Sequence, residues 1–308
     1  PSTYHLGYML GPRINAGGRV GKCSHGANLL LDKDPKNSFK LASELDQFNK
    51  ERQILEKDLL QKILNKTKNY LKNTVLILSG SNWHEGVIGI VAARLKDKFN
   101  KPTILISFDG NIGKASARSI VGFDIGSVII AASHKNILLK GGGHKMAGGF
   151  SIKLENIEKF RKFIFKKFES INENLKIEKP LLVDSIISPS AVNIEFYKKV
   201  ALLSPFGSGN PEPKFVIEDL KTINGKIVGE SHIKSVLIGK DGSTIKSIAF
   251  NSLEKDISPF LIKKNNKSFN IAGKLSLNEW KGQSNVEFII DDISVNKTFK
   301  NTVPSSIG

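Results

Sequence analysis

Three short stretches carry side chains able to do chemistry. Residues 114–119 read Lys-Ala-Ser-Ala-Arg-Ser, two cations and two hydroxyls in one run. In an extended segment Lys114, Ser116 and Arg118 point to one side, because successive side chains of a strand alternate. Such a row suits phosphate oxygens, with the arginine fork as its strongest donor set, and Ser119 adds a second hydroxyl. It is not a Walker loop, which needs a glycine-rich turn ending in Lys-Ser/Thr. Residues 140–149 read KGGGHKMAGG. Glycines in series cost backbone entropy and give no packing, so Gly141, Gly142 and Gly143 are expected in a tight loop whose N–H groups make an anion nest. His144 and Lys145 would add a donor and a charge. The third stretch, Trp83–Gly89 (WHEGVIG), lies between an apolar run and a helical pattern, where open α/β sheets keep their ligands. There His84 and Glu85 can meet a phosphate or base, or cap the helix. As neighbours they face different ways and do not make a two-ligand metal site.

Arg13, Asn15 and Arg19 lie close together in a glycine-rich segment, 1–24, expected to be an irregular active-site or inter-element loop. His5, His25, His134 and His232 are scattered and read as packing or surface residues. HExxH and CxxC are absent, and Asp109, Asp184 and Asp291-Asp292 occur singly or at turns. Two-metal hydrolysis needs several carboxylates around ions about 4 Å apart. The sequence does not assemble that centre, so no metal ligand is assigned.

The elements that must position these residues follow from periodicity. A short helix at 27–31 is stopped at Pro35. A pattern with Leu41, Leu45, Phe48, Leu55, Leu59 and Ile63 on one side predicts a helix over 39–70, about 45 Å long, that bridges domains. From 74 the pattern becomes βαβ: strands at 75–78 and 103–107, a helix at 86–99, an exposed strand at 113–120, a helix at 124–139, a strand at 148–154 and a basic amphipathic helix at 157–168. After a connector with a strand at 181–183 and a helix at 192–203, Ser204–Pro213 is irregular. Strands then follow at 214–223, 232–239, 244–250, 268–278 and 284–293, with turns at Asn224-Gly225, Asp241-Gly242 and Lys281-Gly282. That spacing predicts a small OB-like barrel. Its Phe215, Phe250, Phe269, Trp280 and Phe288 alternate with Lys226, Lys234, Lys246, Lys274 and Lys281, a pattern able to stack bases and track a backbone. Trp280, at a turn, is the aromatic expected to be exposed.

The chain has 308 residues, 40% hydrophobic and 24% charged, enough for two or three folded units. Lys and Arg number 46 against 29 Asp and Glu, a net charge of +17. That excess favours a polyanionic partner, nucleic acid or an anionic surface. The single cysteine, Cys23, excludes an intrachain disulfide and fits a reducing, cytoplasmic setting. No apolar run approaches the ~20 residues of a spanning helix. The first residue is Pro1, so the chain is expected to be a piece with its true N-terminus upstream.

Together these segments resemble the RecJ family of bacterial single-stranded-DNA exonucleases, in the DHH phosphoesterase superfamily. The resemblance rests on residues 11–19 (GPRINAGGR), Asn49 with Arg52, residues 83–89, 114–119, 141–149, 205–211 (PFGSGNP) and 269–293, in the family's order. It implies an α/β multidomain chain: the end of a DHH catalytic domain at 1–35, a long connecting helix at 36–72, an α/β DHH-associated domain at 73–172, a connector at 173–212, an OB-fold domain at 213–298 and a tail. It also implies Mn²⁺ or Mg²⁺ in the full-length enzyme, with ligands upstream of Pro1 and absent from this chain. Arg13, Asn15 and Arg19 match the motif that closes the catalytic domain, and Arg118 and His144 match substrate-holding positions. Two departures stand out: Ala115-Ser116-Ala117 replaces a Gly-Ser-Gly-like run, and Gly141-Gly142-Gly143 a Phe-Gly-Gly. The implied activity is 5′→3′ hydrolysis of single-stranded DNA in repair and recombination, this chain alone binding substrate without cleaving it. Single-stranded DNA is the implied partner, with a single-strand-binding protein or a helicase as candidate protein partners and no membrane. The alternatives are a noncatalytic single-strand-binding protein and a DHH-type phosphoesterase acting on short oligonucleotides.

Overall fold

The structure, a computed structural model, describes residues 3–67, 72–172, 181–207, 209–280 and 282–295. Packing divides the chain into two units, Pro1–Lys179 and Pro180–Gly308.

The first unit opens with helix where the sequence led us to expect a loop. A π-helical turn, His5–Leu10, runs into α1 (Gly11–Val20), followed by α2 (Ser24–Leu31). Pro12 sits in the first turn of α1, where a missing N–H costs nothing. The glycines serve close packing: a Cβ on Gly17 would come 3.2 Å from Leu45 and 2.8 Å from the Lys22 carbonyl. Pro35 does not stop a helix but begins one, α3 (Pro35–Thr67), capped by the Asp34 carboxylate, which accepts from the N–H of Lys36 at 3.2 Å and of Asn37 at 3.3 Å. The expected bridge between domains lies within this one unit. Its first half packs on α1 and α2 through Leu45, and its second half joins Leu59 and Ile63 to Val87, Ile88, Val91 and Leu95 of α4 (Glu85–Phe99).

Beyond α3 comes a sheet of β1 (Leu76–Ser81), β2 (Thr103–Asp109), β3 (Ile112–Arg118), β4 (Lys140–His144) and β5 (Ala147–Lys153), in the order β1-β2-β3-β5-β4. Only β1–β2 is parallel. Between β3 and β4 lies α5 (Ile125–His134), and α6 (Ile157–Asn172) follows β5. Two expectations change here. Residues 141–143 are strand, not a loop, and α5 ends early because Asn136 turns the chain at φ 54° and buries Ile137 and Leu138. One sheet face is fully covered: Ile104, Ala117, Phe150 and Ile152 pack with Ile129 of α5 and Phe160 and Ile164 of α6. On the other, α4 lies over β2 and β3, and Leu78 of β1 joins the cluster it shares with Leu59 and Ile63 of α3, while Lys140, His144 and Gly149 on β4 and β5 stay exposed.

The second unit is the expected OB-fold. After β6 (Ser185–Ile186) and α7 (Ile194–Ala201) come β7 (Phe215–Val228), β8 (His232–Ile238), β9 (Thr244–Ala249), α8 (Ser258–Ile262), β10 (Asn265–Trp280) and β11 (Gln283–Ser294). The strands run β7-β8-β9-β11-β10, β10 pairs back with β7 to close the barrel, and β9–β11 is parallel. Phe215, Leu220, Phe269 and Phe288 fill it. The strand expected at 181–183 is absent, the chain pairing instead at Ser185–Ile186. Asn224-Gly225 is not a turn: both residues lie inside β7, where any Cβ on Gly225 would collide with the Leu261 carbonyl of α8. The chain reverses instead at Gly229, φ 63°. Among the described residues, no helix is long and apolar enough to cross a membrane.

Candidate nucleic-acid interface

The uncovered part of the first unit's sheet is a trough, and register places its residues. Residues paired across neighbouring strands share a face. Three rows therefore share this face, each running from a buried residue of β2 out to the open β5 and β4: Ser107–Lys114–Ser151–Lys140, Leu105–Ser116–Gly149–Gly142 and Thr103–Arg118–Ala147–His144. The period-two reading of Lys114, Ser116 and Arg118 holds, with these three more exposed than the buried Ala115 and Ala117. With Glu85 and Ile88 of α4 on one side, the groove has a volume of about 590 Å³.

Its middle row is nearly bare. A Cβ on Gly142 would meet nothing within 4 Å, and one on Gly149 only the Ala115 carbonyl at 3.5 Å. Neither has positive φ. Fold and conformation therefore leave room for a side chain at both, and the glycines keep the floor flat. Gly141 and Gly143 face the opposite side, where a Cβ on Gly141 would come 2.8 Å from Ile129. The expected anion nest is absent, because strand N–H groups point alternately in opposite directions and do not converge.

At one end stands Arg118. Its Nη1 donates to the Ser116 hydroxyl at 3.0 Å and to the Ala117 carbonyl at 2.8 Å. Burial, then the neighbouring charge of Arg19, holds its guanidinium below the ordinary value. Among the described residues no carboxylate pairs with either arginine. Arg19 arrives from the end of α1, its Nη1 3.3 Å from the Gly86 carbonyl. This contact requires glycine at 86, where a Cβ would strike the Arg19 carbonyl. Two like charges held together without a counterion are a place for an anion.

The other expected residues divide. Lys114 is held by Glu85 at 2.8 Å, both half exposed. His84 caps α4, its Nδ1 accepting from the Gly86 N–H at 3.2 Å, which leaves Nε2 as the outward donor. His144 does the same for the Met146 N–H at 3.4 Å. It shares a row with Arg118, two strands or about 10 Å away. Lys145 is exposed at the β4–β5 turn, anchored through its carbonyl by the N–H of Ile125 at 3.3 Å. Ser119 does not belong to the site: it is 1% exposed and its hydroxyl donates to the Phe123 carbonyl. Arg13 does not either, since its Nε is 2.8 Å from Asp46 and ties α1 to α3. Asn15 and Arg19 line a separate cavity.

In the barrel, Phe215, Phe269 and Phe288 are core and Phe250 is 46% exposed. Its ring meets His232, first read as isolated, at 5.3 Å between centroids, and His232 Nδ1 accepts from the Asn251 N–H at 3.0 Å. Trp280 ends β10 opposite Gln283, but its side chain lies outside the described residues, as does Lys281. Lys226 and Lys234 face each other across β7–β8, with Lys234 3.3 Å from Glu287. Sequence reasoning missed Lys140, Ser151 and Gly149, whose place needed the β4–β5 register, and passed over Arg52, named only within a motif. No three His, Cys, Asp or Glu side chains converge among the described residues, so those present do not fit a hydrolytic Mn²⁺ or Mg²⁺ centre.

Comparison with known proteins places the chain's two domains in one family. Family models for the DHHA1 domain and the RecJ OB domain match residues 54–170 and 183–292. Single-stranded-DNA-specific exonuclease RecJ of Bacillus subtilis is 30% identical over 303 residues, 95% of this chain and 37% of that protein. The Haemophilus influenzae protein of the same name is 32% identical over 305 residues, 94% of this chain and 51% of that one. The crystal structure of RecJ from Thermus thermophilus in complex with Mn²⁺ superposes with a TM-score of 0.80 at 26% identity, covering 97% of this chain and 42% of that one. A Mg²⁺ complex of the same protein gives 0.77 at 25% identity, covering 95% and 44%. The chain thus spans about half or less of the proteins it matches.

Proposed function

The chain belongs to the RecJ family, corresponding to its carboxy-terminal portion, and from that premise we propose that it is the strand-holding part of a 5′→3′ exonuclease for single-stranded DNA. The observation that carries this reading is the trough itself: an unpaired Arg118–Arg19 pair beside a glycine floor, flanked by lysines. Backbone phosphates satisfy the arginines, and the bare floor admits the sugar and base that a side chain would exclude. The barrel, with Phe250 exposed beside lysine-bearing strands, offers a stacking surface of its own. A short oligonucleotide gives no reason for such a second strand-binding module.

In the whole enzyme a divalent ion would activate water for phosphodiester hydrolysis. This chain's residues bind and orient: Arg118 and Arg19 fix a phosphate, Ser116 sets the guanidinium and keeps its own hydroxyl proton to donate, and His84 and His144 present Nε2–H donors. Because the described carboxylates do not converge, we assign this chain binding without cleavage.

The test pairs two measurements on the 308-residue chain with 5′-labelled single-stranded DNA: anisotropy for binding, and cleavage with Mn²⁺ present. Salt-sensitive binding without cleavage is expected. Absence of binding would end the strand-holding assignment, and metal-dependent cleavage that survives repurification would end the division of labour.

A further inference from the structure

The cavity that Asn15 and Arg19 line is an open cleft between the π-helical turn, α1, α3 and α4, with a volume of about 420 Å³, the scale of a small-ligand site. The most buried of the polar side chains lining it is Arg52, from the middle of α3. Arg52 is fixed from behind: Nη1 donates to Glu56 at 2.7 Å and Nη2 to Asn49 at 3.0 Å. Asn49 is 3% and Glu56 2% exposed, and Glu56 also pairs with Arg94 of α4. Two of the five guanidinium N–H bonds are thus used, and the buried Nε has no partner among the described residues. One carboxylate sits among two arginines, leaving a net positive charge behind the cavity. Arg19 adds another at its rim, while Leu6, Pro12 and Ile90 supply an apolar wall.

A purely structural ion pair between α3 and α4 would need only Glu56 and Arg94. It gives no reason to hold a second guanidinium by two fixed bonds beside an open cavity. We propose that this cavity is a second nucleotide subsite, in which Arg52, Arg19 and Asn15 hold a backbone phosphate of the strand and the apolar wall takes its sugar or base. Glu56 and Asn49 are positioning residues that orient Arg52. Arg19, close to Arg118 on one side and Arg52 on the other, joins the two subsites. The inference rests on the strand-holding reading above.

The probe is a 5′-phosphorylated oligothymidylate, titrated by anisotropy into the intact chain at several salt concentrations. Asn15→Asp puts a negative charge into the cavity from an exposed position, without touching the buried network. It is expected to weaken binding several-fold and to flatten the salt dependence by about 0.7, the slope for one phosphate on a single strand. Arg52→Gln should do the same, and if that variant does not fold, Asn15→Asp decides. Arg118→Ala is the reference for the trough, and in the double variant the two losses should multiply. Full affinity for Asn15→Asp beside a weakened Arg118→Ala overturns the second subsite and leaves the trough standing. A loss from Asn15→Asp that vanishes in the Arg118→Ala background also overturns it, since one subsite then explains both. Full affinity for both variants removes the strand-holding reading as well.

Discussion

Gly89 makes room for Arg118: a Cβ at 89 would lie 2.8 Å from Nη2 of Arg118 and 3.0 Å from the Ser116 hydroxyl. Gly89 is inside α4, where alanine is favoured by about 1 kcal/mol. Both clashing groups are side-chain ends that can shift. Gly89→Ala should therefore melt no lower than the wild-type chain and bind single-stranded DNA several-fold less tightly. A variant that binds normally would show that the position of Arg118 is not used.

Burial, then Arg19, opposes the charge of Arg118. Arg118→Ala should leave the melting temperature unchanged or raise it, while weakening single-strand affinity at least several-fold at ~0.1 M salt, where exposed charges are still felt across about 10 Å. Unchanged affinity with the fold intact would remove Arg118 from the interface.

Gly149→Val adds volume to the floor beside Ser116, at a strand position where a β-branched residue is favoured. Thermal stability is expected to hold and binding to drop about tenfold, a loss near 1.4 kcal/mol. Gly148→Val is the contrast. It points at Ile129 and the Gly142 carbonyl at 2.9 Å, so it should destabilise the fold. Equal melting of the two variants would contradict the assignment of faces.

In the barrel, Phe250→Ala should leave stability nearly unchanged and reduce affinity for single-stranded DNA. Phe288→Ala empties a fully buried site and should cost about 3–5 kcal/mol. Denaturant melts and anisotropy on short and long oligonucleotides separate the two effects. Equal affinity of wild type and Phe250→Ala for every length would leave Phe250 without a role.

The Asp124 carboxyl is held below 3.8, chiefly by the Ser127 N–H; desolvation, next in size, opposes this, and the Ser127 hydroxyl, Lys145 and the Gly126 N–H add to the lowering. It caps α5, which carries the His144–Lys145 turn. A lowered carboxyl contributes stability above its unfolded value, and that contribution is lost as pH falls through the folded one. Asn keeps the cap and cannot titrate. The gap in melting temperature between wild type and Asp124→Asn should be largest at neutral pH and close below pH 3.8. A gap that stays constant would mean the charge is not involved.

Period-two spacing made the Lys114–Ser116–Arg118 row legible, since β3 is interior and its register follows its own alternation. The barrel was legible too, because its turns carry local signals at Asp241-Gly242 and Lys281-Gly282. Residues 11–20 were not. Glycine argues locally against helix, and only burial of Ala16 and Gly17 against Leu45 overrides it. The glycine run at 141–143 misled for a related reason. Three neighbours in sequence serve two faces, and which face each serves depends on where α5 packs. Arg52 reads as an ordinary helix cation until Asn49 and Glu56 are seen beneath it.

Substitution surveys that cut side chains back to alanine find a site by the atoms they remove. Gly142 and Gly149 have none to remove, and a survey scored on stability would rate both positions permissive, since the space above them is open. The middle of this trough is negative space, and its contribution emerges only when bulk is added.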